Sequence, residues 1–334
     1  MPAEWAPHQA TWLSWPRREG ISFPNQFDPV PSIWARICAT LSPGEEVHIN
    51  FFSETHEQEI RAALAQAGLN VGQRIFLHNF PAYEPWCRDH GPIFVKNGDQ
   101  LAVVDWDYNA WGGKYPPSDL DDAIPQRVAD LLGLPLFQPR MVLEGGSIEV
   151  NGAGTLLTTE ACLLNPNRNP DLTKTEIEQR LRDYLGVEKI LWLGEGIVGD
   201  DTDGHIDDIA RFVDEHTVVT AIEEDPADDN YRLLRESRRR LETMTTSQGE
   251  PLQIIDLPTP GPVIREGQRL PASYANFYIG NQVVLLPVYG HRNDEQARAI
   301  LQDCFPTRRV VPMDSRDLIW GLGSFHCVTQ QQPA

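Results

Sequence analysis

The chain has 334 residues, 41% of them hydrophobic, with a formal net charge of −20. That balance excludes nucleic-acid binding as a main activity, because phosphate recognition needs clustered Lys and Arg, and no apolar run reaches the roughly 20 residues of a membrane span. Acidity of this kind serves solubility and favours the approach of a cationic ligand.

Taken in chain order, five helical stretches begin near Thr55, Asp119, Lys174, Asp228 and Asn293. Each has Ser, Thr, Asp or Asn at or near its start and apolar residues three to four apart, the pattern of capped amphipathic helices. Extended runs follow them at 74–77, 136–142, 189–193, 252–257 and 308–312. Hairpin turns come next at Asn97-Gly98, Asn151-Gly152, the longer Asp214-Glu215-His216, and Gly280-Asn281, pairs that tolerate positive φ. The fifth hairpin lacks a second strand, and the N-terminal run 10–15 (ATWLSW) is expected to supply it, closing a ring. Recurrence of this kind decides the fold before any single motif does. The expected fold is α/β: a five-bladed propeller of helix and mixed strands around a central site. No Gly/Ser linker or charge block divides residues 1–334, so a single domain is expected.

The five cysteines (Cys38, Cys87, Cys162, Cys304 and Cys327) form no CxxC pair, and their odd number argues against a disulfide framework. The segment MPAEWAPHQA has no apolar core of a signal peptide. A cytoplasmic protein is therefore expected. The basic run Arg238-Arg239-Arg240 has acidic neighbours on a helix and reads as a solvated face.

The mouths of the hairpins align as EPWCRDHGP (84–92), LEGGS (143–147), GDDTDGHIDD (199–208), SYANF (273–277) and GLGSFHC (321–327). A ring brings equivalent positions to its axis, so Asp89, Glu144, His205 with Asp207, Asn276 and Cys327 are expected to share one pocket. Cys327 reads either as a small buried hydrophobe or as a nucleophile. The second role needs a neighbouring base or a bound cation to raise its thiolate fraction. His205 reads as a core histidine, as a metal ligand with Asp207, or as a general acid/base whose second ring nitrogen is held by Glu144. No second His stands at metal-site spacing, and in a calcium-loop reading of DDTDG the required Glu is replaced by Phe212. Asp89 reads either as half of an Arg88–Asp89 pair or, with Asp207, as one of two carboxylates around a cation. A planar guanidinium suits two such carboxylates, and Trp86 and Trp111 would add an aromatic wall.

The segments MPAEWAPHQATWLSWP, EPWCRDHGP, NAWGGKYPP, LEGGS, DDTDGHIDDIARF, SYANF and GSFHCVTQQQP span the whole chain. Together they resemble the agmatine deiminase family, grouped with the bacterial-type peptidylarginine deiminases in the guanidine-modifying superfamily of pentein fold. The resemblance implies Cys327 as nucleophile, His205 as acid/base supported by Glu144, and Asp89 and Asp207 gripping the guanidinium. It also implies that an acidic position at Asp201, among the aspartates of DDTDG, receives a distal amine. Many relatives carry a Gly-Gly-Gly-Asn-like run where this chain has Gly321-Leu322-Gly323-Ser324-Phe325, a departure that bears on pocket shape and substrate preference.

The implied reaction hydrolyses agmatine to N-carbamoylputrescine and ammonia, on a route to putrescine, with no metal or organic cofactor. A peptidyl-arginine deiminase and a non-catalytic pentein that binds a partner are the alternatives. The expected partner is a small cationic guanidinium compound, with a homodimer as the assembly and no nucleic acid or membrane.

Overall fold

The computed structural model describes residues 1–334. Its strands form five sheets of three or four strands and one separate two-stranded ribbon. The larger sheets share one plan: an antiparallel hairpin, a helical crossover, and a further strand parallel to the second strand of the hairpin. Ile93–Asn97 and Gln100–Val104 pair around Asn97-Gly98, and Leu136–Phe137 runs parallel to the latter. Ile148–Val150, Thr155–Thr159 and Lys189–Leu193 repeat the plan, as do Ala210–Phe212, Thr217–Ile222 and Gln253–Pro258. Tyr278–Ile279, Val283–Val288 and Arg309–Asp314 form a further copy. In the remaining sheet Thr329–Pro333 pairs antiparallel with His8–Ser14, placing Gln330 opposite Trp12. Glu46–Asn50 and Ile75–His78 extend that sheet in parallel. The N-terminal run therefore pairs with the last strand, as its sequence suggests.

The grouping of elements differs from the sequence reading. The strand after each crossover helix joins the hairpin before that helix, because a helical crossover returns the chain to the sheet it left. The helix Val30–Leu41 and the strand Glu46–Asn50, absent from the sequence reading, supply the crossover and parallel strand of the sheet that holds His8–Ser14, so the helix Glu54–Gln66 and the strand Ile75–His78 are the additional pair. Pro29 stands at the cap position of Val30–Leu41, where the others carry Ser53, Ser118, Thr173, Asp229 and Asn293, so it lacks their start signal in sequence. The stretch from Asp119 is two helices, Asp119–Asp122 and Ile124–Leu132. Pro125 falls in the first turn of the second, where a missing N–H is tolerated. The run 136–142 is a strand only at Leu136–Phe137; beyond Pro139, Val142 makes an isolated bridge to Asp107.

The helix Lys174–Leu185 illustrates how these elements hold. Thr173 and Glu176 form a capping box, Ile177, Leu181 and Leu185 are buried at four-residue spacing, and Gly186 ends the helix at φ 66°. Each such side chain contributes about 1.5–3 kcal/mol by leaving water. No helix is long and apolar enough to cross a membrane. Between the sheets lie four single-turn segments, Cys87–His90, Gly145–Ser147, Ile206–Asp208 and Ile319–Gly321, and these carry or adjoin the polar residues singled out above.

Candidate active site

Cys327 follows the Ile319–Gly321 turn and is 7% exposed. It lines a cavity of about 240 Å³ together with Asp89, Trp86, Trp111, Tyr115 and Asp201. Asn276, from the SYANF turn, grips the same residue: its Nδ2 donates to Cys327 Sγ at 3.0 Å, and its Oδ1 accepts from the Cys327 N–H at 3.4 Å and the His326 N–H at 3.1 Å. The sulfur is 3.6 Å from Asp207 Oδ2. Burial raises the Cys327 thiol well above its ordinary pKa, and Asp207, Asp208 and Asp89 push it further. The site therefore sets a neutral thiol among carboxylates.

Asp89 sits in the Cys87–His90 turn, where its two oxygens have separate partners. Trp111 Nε1 donates to Oδ2 at 2.9 Å and the Gly146 N–H to Oδ1 at 3.0 Å. Burial lifts the Asp89 carboxyl to about 6, against the pull of nearby His205. The expected Arg88–Asp89 pair does not form. Arg88 turns the other way, donating to Glu4 Oε2 at 3.0 Å and Gln331 Oε1 at 2.7 Å.

His205 is buried, with Nδ1 3.6 Å from Asp89 Oδ1 and no hydrogen bond to either ring nitrogen. Burial draws the imidazole down, but Asp89, Cys162 and Glu144 outweigh it and leave His205 well above its usual value. Glu144 is not hydrogen-bonded to His205: its Oε1 accepts from Arg168 Nε at 2.7 Å and its Oε2 has no partner. Glu144, Cys162 and His205 nevertheless offer atoms within 4.8 Å of one another, close enough to hold a metal ion. The Arg168 guanidinium on Glu144 already neutralises that carboxylate and would repel a cation there. Cys162, which reads as core in the sequence, is thus the unforeseen neighbour of His205.

Of the three aspartates in DDTDG, Asp201 alone lines the cavity, accepting from the Tyr115 hydroxyl. Asp200 receives the N–H groups of Thr202, Gly204 and His205 and shapes the loop, whereas Asp203 pairs with Lys114 at 2.8 Å and Arg168 at 2.6 Å. Trp86 donates to Ser22 Oγ at 2.8 Å and presents its ring to the cavity. Two cavity-lining residues other than glycine have positive φ, Trp111 at 53° and Leu322 at 71°, a kind of strain that clusters at functional sites.

Behind the cavity lies a buried charge network that the sequence reading missed. Asp207 Oδ2 is 2.7 Å from His326 Nδ1, whose other ring nitrogen is 2.8 Å from Glu4 Oε2. Arg211 donates to Glu4 at 3.0 Å and to Glu149 at 2.8 Å. Burial alone would push Glu4 up, but Arg211, His326 and Arg88 hold it well below the usual carboxylate range. Burial likewise opposes ionisation of Asp207, and His326 reverses it, leaving this carboxyl below its ordinary value. The only sequence signal for the network is the presence of Glu4, Arg88, Asp207, Arg211 and His326 in the segments that carry the family resemblance.

The sequence profile of the Porphyromonas-type peptidyl-arginine deiminase family matches residues 1–333. The agmatine deiminase of Ectopseudomonas mendocina is 38% identical over 358 residues, covering 100% of this chain and 95% of its own. Among solved structures, the agmatine deiminase of Enterococcus faecalis superposes with a TM-score of 0.92 at 34% identity, covering 100% of this chain and 95% of that one. A substrate-bound agmatine deiminase of C. jejuni gives a TM-score of 0.88 at 30% identity, covering 100% and 96%.

Proposed function

The chain belongs to the Porphyromonas-type peptidyl-arginine deiminase family, and we propose that it is an agmatine deiminase, hydrolysing the guanidinium of agmatine to N-carbamoylputrescine and ammonia. One observation carries the choice of substrate. The cavity that holds Cys327 also holds Asp89 and Asp201, and no Arg or Lys lines it. A free arginine would bring an α-carboxylate with nothing to receive it, whereas the terminal amine of agmatine meets Asp201.

In this reading Asp89 and Asp207 hold the guanidinium against the walls of Trp86 and Trp111. Arrival of that cation offsets the carboxylates that keep Cys327 neutral, so the thiol loses its proton to solvent only when substrate is bound. Asn276 steadies the resulting thiolate through its Nδ2–H. The sulfur attacks the central carbon; His205, kept protonated by its acidic neighbours, gives a proton to one nitrogen, and the C–N bond breaks to release ammonia. The adduct is an S-linked thiouronium. His205, now neutral, takes a proton from a water that attacks the same carbon. Collapse breaks the C–S bond and frees the ureido product; the hydroxyl proton returns to the sulfur as the cation leaves, and the proton first lost to solvent is taken up by ammonia. Glu144 acts on His205 through its nearby charge. Dividing one displacement into two lower barriers is the gain of the covalent route.

Family membership and the repeated sheet plan also support a five-bladed pentein, with residues 1–334 as one domain. The reading includes a cytoplasmic homodimer, which sedimentation of the purified protein tests for its oligomeric part. A blocked arginine peptide carries no free carboxylate and is the second substrate to consider. Ammonia release from agmatine, free arginine and the blocked peptide should rank agmatine first in kcat/KM. A higher value for either competitor overturns the assignment.

A further inference from the structure

Three separate segments meet at the mouth of the cavity. Ile21, Ser22 and Pro24 come from the loop of 20–27, Gln268 from the ribbon of 263–270, and Trp320 from the turn before Cys327. The loop is fixed to the cavity wall, with Glu84 accepting from the N–H of Ile21 at 2.9 Å and of Ser22 at 3.2 Å. Trp320 Nε1 donates to the Pro24 carbonyl at 3.2 Å. The ribbon is a different case. Its strands, Val263–Arg265 and Gln268–Leu270, pair only with each other, and an isolated two-stranded hairpin is marginal in water. Its place depends on side-chain ties.

One side chain joins all three segments. Arg265 Nη2 donates to Gln26 Oε1 at 2.6 Å, Nη1 donates to Asp317 Oδ1 at 3.3 Å, and the guanidinium carbon lies 5.2 Å from the centroid of the Trp320 ring. The ribbon's other cationic tie, Arg269 to Asp228 at 2.9 Å, leads away from the loop. Arg265, Gln26 and Asp317 do not line the cavity, so they lie outside the groups that touch substrate. We propose that Arg265 is a positioning residue that sets substrate range. It fastens the ribbon to the loop and to Trp320, keeping the mouth narrow enough for an unsubstituted alkylguanidine and too narrow for a guanidine with a bulky, blocked tail.

The proposal rests on the agmatine reading, and the experiment separates the two. With full-length wild type and Arg265→Ala, one measures kcat and KM for agmatine and the Ki of benzoyl-arginine amide against agmatine hydrolysis. Inhibition is used because it reports entry even where the amide is not turned over. Arg265→Ala should keep kcat within about twofold while the ratio of Ki to agmatine KM falls by about fivefold or more, as expected when a steric filter is lifted and the chemistry untouched. A smaller fall in that ratio, or a loss confined to kcat, overturns the proposal. If Arg265→Ala does not fold, the combined Gln26→Ala and Asp317→Ala variant removes both side-chain hydrogen-bond acceptors of Arg265 from the other side and is judged by the same threshold. A wild type that leaves agmatine intact removes the functional reading and this proposal with it. An active wild type with an unchanged ratio removes the proposal alone.

Discussion

Adding one methyl group at Gly146 should disable the site while leaving the fold standing. A Cβ built there lies 2.6 Å from His205 Nδ1, 2.7 Å from Asp89 Oδ1 and 3.2 Å from Asp207 Oδ2. Ordinary contact begins at 3.4 Å, so His205 and Asp89 would have to retreat by about 0.8 and 0.7 Å. Gly146 is not among the residues with positive φ, so alanine meets no backbone objection and the whole effect comes from displaced side chains. A misplacement of about 1 Å costs about 100-fold in rate, or roughly 2.7 kcal/mol of barrier. Overpacking of this kind costs about 1–3 kcal/mol of stability, which a domain of this size can bear. The assay is kcat/KM for ammonia release from agmatine, with Tm measured on the same preparation. A fall of about 100-fold in a folded Gly146→Ala variant is expected. A folded variant within about threefold of wild type would refute the claim that these three groups must keep their present positions.

Three further outcomes follow from the same geometry. Cys327→Ser should abolish turnover and keep the fold, and a quenched wild-type reaction should show an adduct on Cys327 and on no other cysteine by mass spectrometry. Lowering the pH through about 6 should protonate Asp89, remove half of the guanidinium grip and depress kcat/KM for agmatine; a flat profile from pH 7 to 5 would remove Asp89 from binding in its ionised form. Asp121, buried and raised to about 8 by that burial, gives a stability test with a defined sign. Its folded-state pKa is above its unfolded value, so its contribution is fully present at low pH and is lost as pH rises towards about 8. Asp121→Asn, which keeps an oxygen to accept the Tyr83 N–H, should therefore gain on wild type between pH 5 and 8, by no more than about 1.4 kcal/mol per pH unit. Parallel denaturant midpoints across that range would contradict it.

The sequence made the helix–strand–hairpin recurrence legible because amphipathic helices and Asn-Gly turns leave local signatures. It also singled out the polar hairpin mouths, since residues such as Asp89, His205 and Cys327 are out of place in apolar surroundings. Sheet membership was less legible: the order of elements is the same whether a strand joins the hairpin before or after its helix, and only the crossover geometry decides. Buried pairing was not legible at all. Arg88 stands beside Asp89 in sequence but reaches Glu4, 84 residues away, and periodicity carries no trace of a partner at such distance. Glu4, His326 and Arg211 carry no local sign of their pairing for the same reason. Each looks like an ordinary surface charge until the fold removes its water.

The pairing of His8–Ser14 with Thr329–Pro333 has a consequence for when the enzyme becomes competent. Trp12 Nε1 donates to Gln332 Oε1 at 2.9 Å across 320 residues of sequence, so this seam carries among the largest entropic burdens of closure in the molecule and depends on the rest being in place. The Thr329–Pro333 strand follows Cys327 directly, and Glu4, beside the other strand, anchors His326 behind it. A molecule with every other sheet assembled but this seam open would keep most of its helices and strands yet hold its thiol outside its electrostatic setting. Under the proposed mechanism such a species is expected to be inactive. Catalytic competence under that mechanism is therefore expected to depend on this joining of distant strands.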